Sequence, residues 1–294
     1  MRLLILPAAL LIANACVSSG AEVLQCSWRV GDLERHAAVY LPTKPSSRPS
    51  PVVFAFHGHG GSARHSARSF AIHTHWPEAI VIYPQGIPTP GMLTDPEGRR
   101  NGWQHAAGAE DDRDLKFVDT MLTTLFMKSS RDADETPSSG TEELQKALQR
   151  QPADRQRVFA TGHSNGGGFT YLLWATRADQ FAAFAPSAAA GRRSVPSVPR
   201  PAMHIAGRND QLVRFAWQKR QIEVVKKINH TSNDGREWAK DCTLFSSSTG
   251  APFVAMIHDG THKYPEEAPA LIVKFFQEFG GAESDGRRSR AKAE

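Results

Sequence analysis

Three side chains in this sequence have the types and the order needed to activate a hydroxyl. Ser164 stands in Gly162-His163-Ser164-Asn165-Gly166, Asp210 ends Gly207-Arg208-Asn209-Asp210, and His262 lies in FVAMIHDGTHKYP (253–265). A serine hydroxyl is a poor nucleophile at neutral pH. It needs a base to take its proton and donors to hold the oxyanion that then forms. Gly-x-Ser-x-Gly between a strand and a helix presents the serine on a tight turn, and the two glycines remove side chains that would clash there. RVFAT (157–161) before it reads as a strand and GGGFTYLLWATR (166–177) after it as a helix, so the context fits.

The acid and base are expected in the chain order serine, acid, histidine. Asp210 follows the apolar run AMHIA (202–206), at a strand end where catalytic groups gather in parallel sheets. Asp234 and Asp241 are rival carboxylates, ranked lower because no buried strand precedes them. His262 sits on a loop before the last helix, from which it can fold back over the serine; His258, at the strand end, is its rival. The oxyanion donors are expected to be the backbone N–H groups of Asn165 and of His59, the latter in HGHGG (57–61), with Gly60 as the alternative.

Other candidates carry less. Trp103, in the long loop after AIVIYP (79–84), either lines the substrate pocket or anchors its loop in the core. Asp112 and Asp114 read as capping or solvated residues, with Asp114 a candidate N-cap. His57-x-His59 and His73-x-His75 have metal-like spacing but no carboxylate or cysteine beside them, so neither a metal nor a cofactor is expected.

The elements that must position these residues alternate. VLQCSWRV and RHAAVYLPT read as an N-terminal antiparallel hairpin. VVFAF, AIVIYP, RVFAT, FAAFAPSAA, AMHIAG and FVAMIHDG are continuous apolar runs, as in strands buried on both faces. Helical spacing recurs between them, for example at Leu115, Val118, Met121, Leu122 and Leu125. The pattern is an α/β chain with a mostly parallel central sheet covered by helices on both faces.

The 294 residues carry 35 Lys+Arg against 30 Asp+Glu, a formal charge of +5, part of it in the C-terminal tail. No basic stripe with interleaved aromatics occurs, so nucleic acid is not an expected partner. Met1-Arg2 followed by LLILPAALLIANAC reads as a secretory signal peptide over 1–21, too short to span a bilayer comfortably, with secreted or periplasmic destination. Lipid attachment at Cys16 is the alternative reading of the same stretch. Residues 22–280 read as one catalytic domain, 281–294 as a disordered tail, and Ser129 to Gly140 as a polar excursion, a surface loop or part of a lid. Cys26 and Cys242 belong to the first and last strand regions, and whether they pair is open.

FHGHGGS, YPQG, ATGHSNGGG, FAAFAPSAAA, GRNDQLV and HDGTHKYP occur here in the order seen in one group of proteins. From about Arg35 to Phe279 the chain resembles the poly(3-hydroxybutyrate) depolymerase-like family of secreted α/β-hydrolases, which includes feruloyl and acetylxylan esterases. The resemblance implies the α/β-hydrolase fold, a triad on Ser164, Asp210 and His262, an oxyanion hole at His59 and Asn165, and an ester substrate: a polyester oligomer or a polysaccharide-linked acyl group. It departs from the family at Tyr264, where a tryptophan is common, so Tyr264 is a candidate aromatic wall of the substrate site.

Overall fold

The computed structural model describes residues 22–127, 140–191 and 195–281. The stretches read as a signal peptide or lipid-attachment site, almost all of the polar excursion, and the tail beyond Gly281 lie outside the described residues.

In chain order the elements are β1 (Val23–Val30), β2 (Leu33–Tyr40), β3 (Ser50–Phe56), α1 (Ala63–Phe70), α2 (Ile72–His75) and β4 (Ile80–Pro84). A long loop follows, holding the short strands β5 (Ile87–Pro88) and β6 (Asn101–Gly102). Then come α3 (Arg113–Phe126), α4 (Thr141–Arg150), β7 (Ala153–His163), α5 (Asn165–Arg177), β8 (Ala183–Ser187) and β9 (Ala202–Gly207). The chain continues with α6 (Phe215–Ile228), β10 (Thr231–Ala239), β11 (Cys242–Ser247), β12 (Phe253–His258) and α7 (Ala268–Phe279).

One sheet runs in the order β1-β2-β4-β3-β7-β8-β9-β12-β11-β10. Its centre, β4-β3-β7-β8-β9-β12, is parallel throughout. Antiparallel hairpins extend it at both edges: β1–β2 on β4, and β10–β11 on β12. The first hairpin matches the expectation from sequence. The second does not: 231–247 reads as polar connection, because the outermost strand β10 is exposed along most of its length and carries no apolar alternation.

Each face of the sheet has its own core, and the two-residue period of the strands divides them. On β3, Val52, Phe54 and Phe56 pack with α3, α4, α5 and α6, whereas Val53 and Ala55 pack with α1, α2 and α7. All five are fully buried. Full burial of a side chain such as Phe54 is worth about 1.5–3 kcal/mol, and a one-residue slip of β3 would exchange its two faces.

β4 lies on one side of β3 and β7 on the other. The chain reverses its direction of growth there, so the loops after β3 and β7 diverge and leave a crevice at the strands' C-terminal ends. Cys26 in β1 and Cys242 in β11 are both free and buried. They lie eight strands apart along the sheet order, so at about 4.8 Å per strand no disulfide can join them. No helix among the described residues is long and apolar enough to cross a membrane.

A buried ion pair braces the crevice's outer wall. Arg35 Nη2 lies 2.7 Å from Asp114 Oδ1 with both side chains fully buried. The Gln104 backbone N–H donates to Asp114 Oδ2 at 2.8 Å, and Gln104 Oε1 accepts from the Asp114 N–H at 3.0 Å. Asp114 is therefore not the N-cap of α3 but a residue of its first turn, tying β2 to the long loop. Asp112 serves that loop too, accepting from Gln104 Nε2 and the Gly108 N–H, both at 2.8 Å. Removing one partner would strand a buried charge. Asp114→Ala is expected to lower unfolding free energy by about 3–5 kcal/mol in urea titration; a loss under about 1 kcal/mol would show that the pair does not brace the wall.

Candidate active site

Ser164 ends the strand-to-helix turn with φ 57° and ψ −117°, a backbone conformation that costs a non-glycine residue about 1–3 kcal/mol. The turn is held by the Ser164 N–H donating to Ser187 O at 2.9 Å and by Ser164 O accepting from the Gly168 N–H at 2.9 Å. The flanking glycines are there for packing. A Cβ on Gly162 would run into the Gly166 carbonyl, and one on Gly166 into the Phe56 carbonyl of β3.

His262 and Asp210, the expected base and acid, arrive from two further strand ends. His262 Nε2 lies 2.8 Å from Ser164 Oγ, and His262 Nδ1 lies 2.8 Å from Asp210 Oδ2. Because a carboxylate only accepts, Nδ1 carries the proton and Nε2 is free to accept from the serine hydroxyl. Asp210 is buried and fully occupied. Its Oδ1 accepts from the Leu212 and Val213 N–H groups at 2.9 Å each, and its Oδ2 also accepts from Gln218 Nε2 at 3.0 Å. The rivals stand elsewhere: Asp234 is in exposed β10, Asp241 occupies a left-handed turn at φ 59°, and His258 Nδ1 accepts from the Gly260 N–H at 3.0 Å.

The acid and base loops are joined directly. Asn209 donates from its backbone to Gly260 O at 3.1 Å and from Nδ2 to Asp259 O at 2.6 Å. The approach needs Gly207, where a Cβ would come within 2.6 Å of Thr261 O.

The two residues expected to supply oxyanion donors, His59 and Asn165, lie beside Ser164. The Asn165 N–H is the first of α5 and has no intrahelical acceptor. The His59 N–H makes no backbone hydrogen bond among the described residues. Both residues line one cavity of about 610 Å³ together with Ser164 and His262, a size suited to a small-molecule ligand.

Several side-chain contacts that the sequence does not reveal hold this arrangement. Asn165 contributes more than its N–H: Oδ1 accepts from the Trp103 N–H at 2.7 Å and Nδ2 donates to Trp103 O at 3.0 Å. The His59 ring is fixed by Asp95, whose Oδ2 lies 3.2 Å from Nε2. His163, half-buried, donates from Nε2 to His262 O at 2.9 Å, which leaves its Nδ1 to accept from Ser187 Oγ at 3.2 Å. Ser187 thus holds the serine turn through its carbonyl and the histidine loop through His163.

Trp103 does not line the cavity. Its indole is fully buried, edge-on to Phe56 and stacked on Phe169, with Nε1 donating to His57 O at 2.9 Å. Of the two sequence readings, loop anchor is the one the structure supports. Tyr264 is also displaced from its expected role. It packs against Phe70 and edge-on to His163, with its hydroxyl buried and unpartnered among the described residues, behind the histidine loop and outside the cavity lining. An aromatic does line the cavity, Trp217 of α6, with Leu212 and Val213. No sequence signal marks it, because α6 buries other positions in the core.

No family model matches this chain. Over 108 residues, 34% of the chain, it is 32% identical to feruloyl esterase B of Piromyces equi, and that match spans 19% of the relative's length. Among solved structures, a ferulic acid esterase is similar with TM-score 0.54 at 15% identity, covering 89% of this chain and 99% of that one. An acetyl xylan esterase from Aspergillus awamori gives TM-score 0.53 at 13% identity, covering 87% and 99%. A Bacillus cereus carboxylesterase gives 0.51 at 17%, covering 83% and 93%. The chain has the α/β-hydrolase fold. In this hydrolase fold the sheet, the serine turn and the acid and histidine loops occupy the positions described above.

Burial keeps the histidines around the site neutral. His57 is pushed down to about 4, mainly by burial; its Nε2 accepts from the Gly86 N–H at 2.9 Å. His163 is pushed down to about 4 by burial and by neighbouring His262, and His204 to about 4 by burial beneath α5. Unfolding releases these rings to titrate near the ordinary 6.5. The unfolded state then binds more protons below pH 6.5, so stability falls as pH falls from about 6.5 towards 4. Urea unfolding at pH 7 and pH 5 is expected to show an uptake of up to about three protons; equal stability at the two pH values would contradict neutral burial of these rings.

Proposed function

We propose that the chain hydrolyses carboxylic esters through an acyl-enzyme. The observation that carries this reading is the unbroken line Ser164 Oγ–His262–Asp210, 2.8 Å at each step, opening into a ligand-sized cavity that His59 and Asn165 also line. His262 Nε2 takes the proton as Ser164 Oγ bonds to the ester carbonyl carbon. The carbonyl oxygen becomes an oxyanion facing the His59 and Asn165 N–H groups. Asp210 keeps the imidazole in the productive tautomer and stabilises its charged form. Collapse breaks the ester C–O bond, and His262 gives its proton to the leaving alcohol. Water, deprotonated by His262, then attacks the acyl-serine, releasing the acid and restoring the serine.

The likeness to feruloyl and acetyl xylan esterases supports feruloyl and acetyl esters as candidate substrates. A second reading, polyester oligomers, is supported by the apolar rim of the cavity, where Met92 and Leu93 are each more than half exposed.

Ser164→Ala is expected to lower kcat/KM for p-nitrophenyl acetate by about 10³-fold or more. Asp210→Asn should lower it by up to about 10⁴-fold, while Asp234→Asn and Asp241→Asn stay near the parent. Parent-like rates in Ser164→Ala would remove the reading. Product analysis on methyl ferulate, acetylated xylan and hydroxybutyrate oligomers separates the substrate classes.

A further inference from the structure

Three consecutive glycines open α5, and the fold explains only two of them. A Cβ on Gly166 would run into the Phe56 carbonyl, and one on Gly167 would come within 2.6 Å of Ser187 O and 2.9 Å of Ala189 Cβ. Gly168 differs. A Cβ there would meet nothing within 4 Å among the described residues, and its backbone is helical, with no left-handed φ to favour glycine. Glycine is the poorest helix former after proline, so this position gives up helix stability without a packing reason. Gly168 instead lines the cavity that holds Ser164, one helical turn beyond it.

The neighbouring lining residues are small in the same way. Ala189, Ala190 and Gly191 follow β8 into the cavity, and the Gly191 N–H is pinned by Gln221 Oε1 of α6 at 3.1 Å. Trp217, one turn earlier on α6, and Leu212 of the acid loop supply the large apolar surface of the same cavity. Residues with little or no side chain and an indole thus line one cavity of about 610 Å³, which leaves room for a bulky apolar group.

We propose that Gly168 is a specificity-determining residue: its missing side chain provides the room beside the nucleophile for a large apolar group, planar or branched, of the ester substrate. The proposal rests on the esterase reading above and deepens it. The group is either the acyl part or the alcohol part of the ester, and the two are separated by varying one part at a time.

The experiment uses the full chain, Gly168→Ala and Gly168→Leu, with two ester series. One series varies the acyl group on p-nitrophenol, from acetyl to cinnamoyl. The other keeps acetyl and varies the alcohol, from methyl to naphthyl. Gly168→Ala is expected to raise Tm by about 1–3 °C, since the helix gains propensity at an open position. Gly168→Leu is expected to lower the large-to-small ratio of kcat/KM by at least about tenfold in one of the series, and the responding series identifies the part that occupies this room. A fall in Tm for Gly168→Ala would overturn the proposal by showing that the fold needs the glycine. So would a ratio for Gly168→Leu that stays at the parent value in both series. Failure of the esterase reading looks different: the parent chain itself would neither hydrolyse p-nitrophenyl acetate nor be labelled at Ser164 by a fluorophosphonate.

Discussion

The constraint on which the site depends is the backbone of Ser164, held at φ 57° and ψ −117°. No local preference places a serine there, so the surrounding structure must enforce it. It does so from three directions. Gly162 and Gly166 let β7, α5 and β3 approach until carbonyls would touch any added Cβ. Ser187, at the end of the adjacent strand β8, accepts from the Ser164 N–H. The central parallel sheet fixes the register, pairing Gly162 with Phe56 on one side and with Pro186 on the other. A sheet buried on both faces resists slippage, and that rigidity is what the strained turn draws on.

The neutral histidines follow from the same burial. In the proposed mechanism His262 becomes an imidazolium, which a second positive charge nearby would oppose. His163, with its ring centre 5.0 Å from that of His262, is kept neutral by enclosure. Its donor is spent on the His262 carbonyl, so it orders the base's loop without competing for the proton. His57 plays a comparable part beneath the oxyanion loop, with its carbonyl receiving the Trp103 indole N–H. Each ring is used as a fixed pair of hydrogen-bonding groups and not as a charge.

Much of this was legible in the residues because strand ends and chain order constrain catalytic groups strongly. Ser164, Asp210 and His262 each follow a continuous apolar strand, and their order along the chain matches the reach of their loops. What resisted reading lacks a local signature. Asp114 looks like a capping residue, because its partner Arg35 lies 79 positions away. β10 is exposed along most of its length, so no periodicity marks it as a strand. Trp103 and Trp217 are both aromatic residues near the site, yet one is core and the other cavity lining. Only the packing of Phe56 and Phe169 around the first decides which is which. Tyr264 shows the limit of carrying a role by position: being two residues from the base places it behind the loop, against Phe70.

The cavity and the proposed oxyanion donors are also less separable than their positions in sequence suggest. Asp95 sits in the same turn as Met92 and Leu93, closed by the Gly91–Asp95 bridge, and its carboxylate holds the His59 ring. It also accepts from the Arg100 N–H at 2.8 Å, fixing the descent of that loop towards Gly102. Gly102 in turn must be glycine, because a Cβ there would come within 2.6 Å of His59 Nδ1 and 3.0 Å of Asn165 Oδ1. The apolar rim of the cavity is therefore mechanically continuous with both residues proposed to supply the oxyanion donors. A change in rim shape large enough to move Asp95 would move the His59 amide as well. On the esterase reading, substrate preference and transition-state stabilisation are coupled through this loop, which is also bonded to the first residue of α5, the helix that carries Gly168.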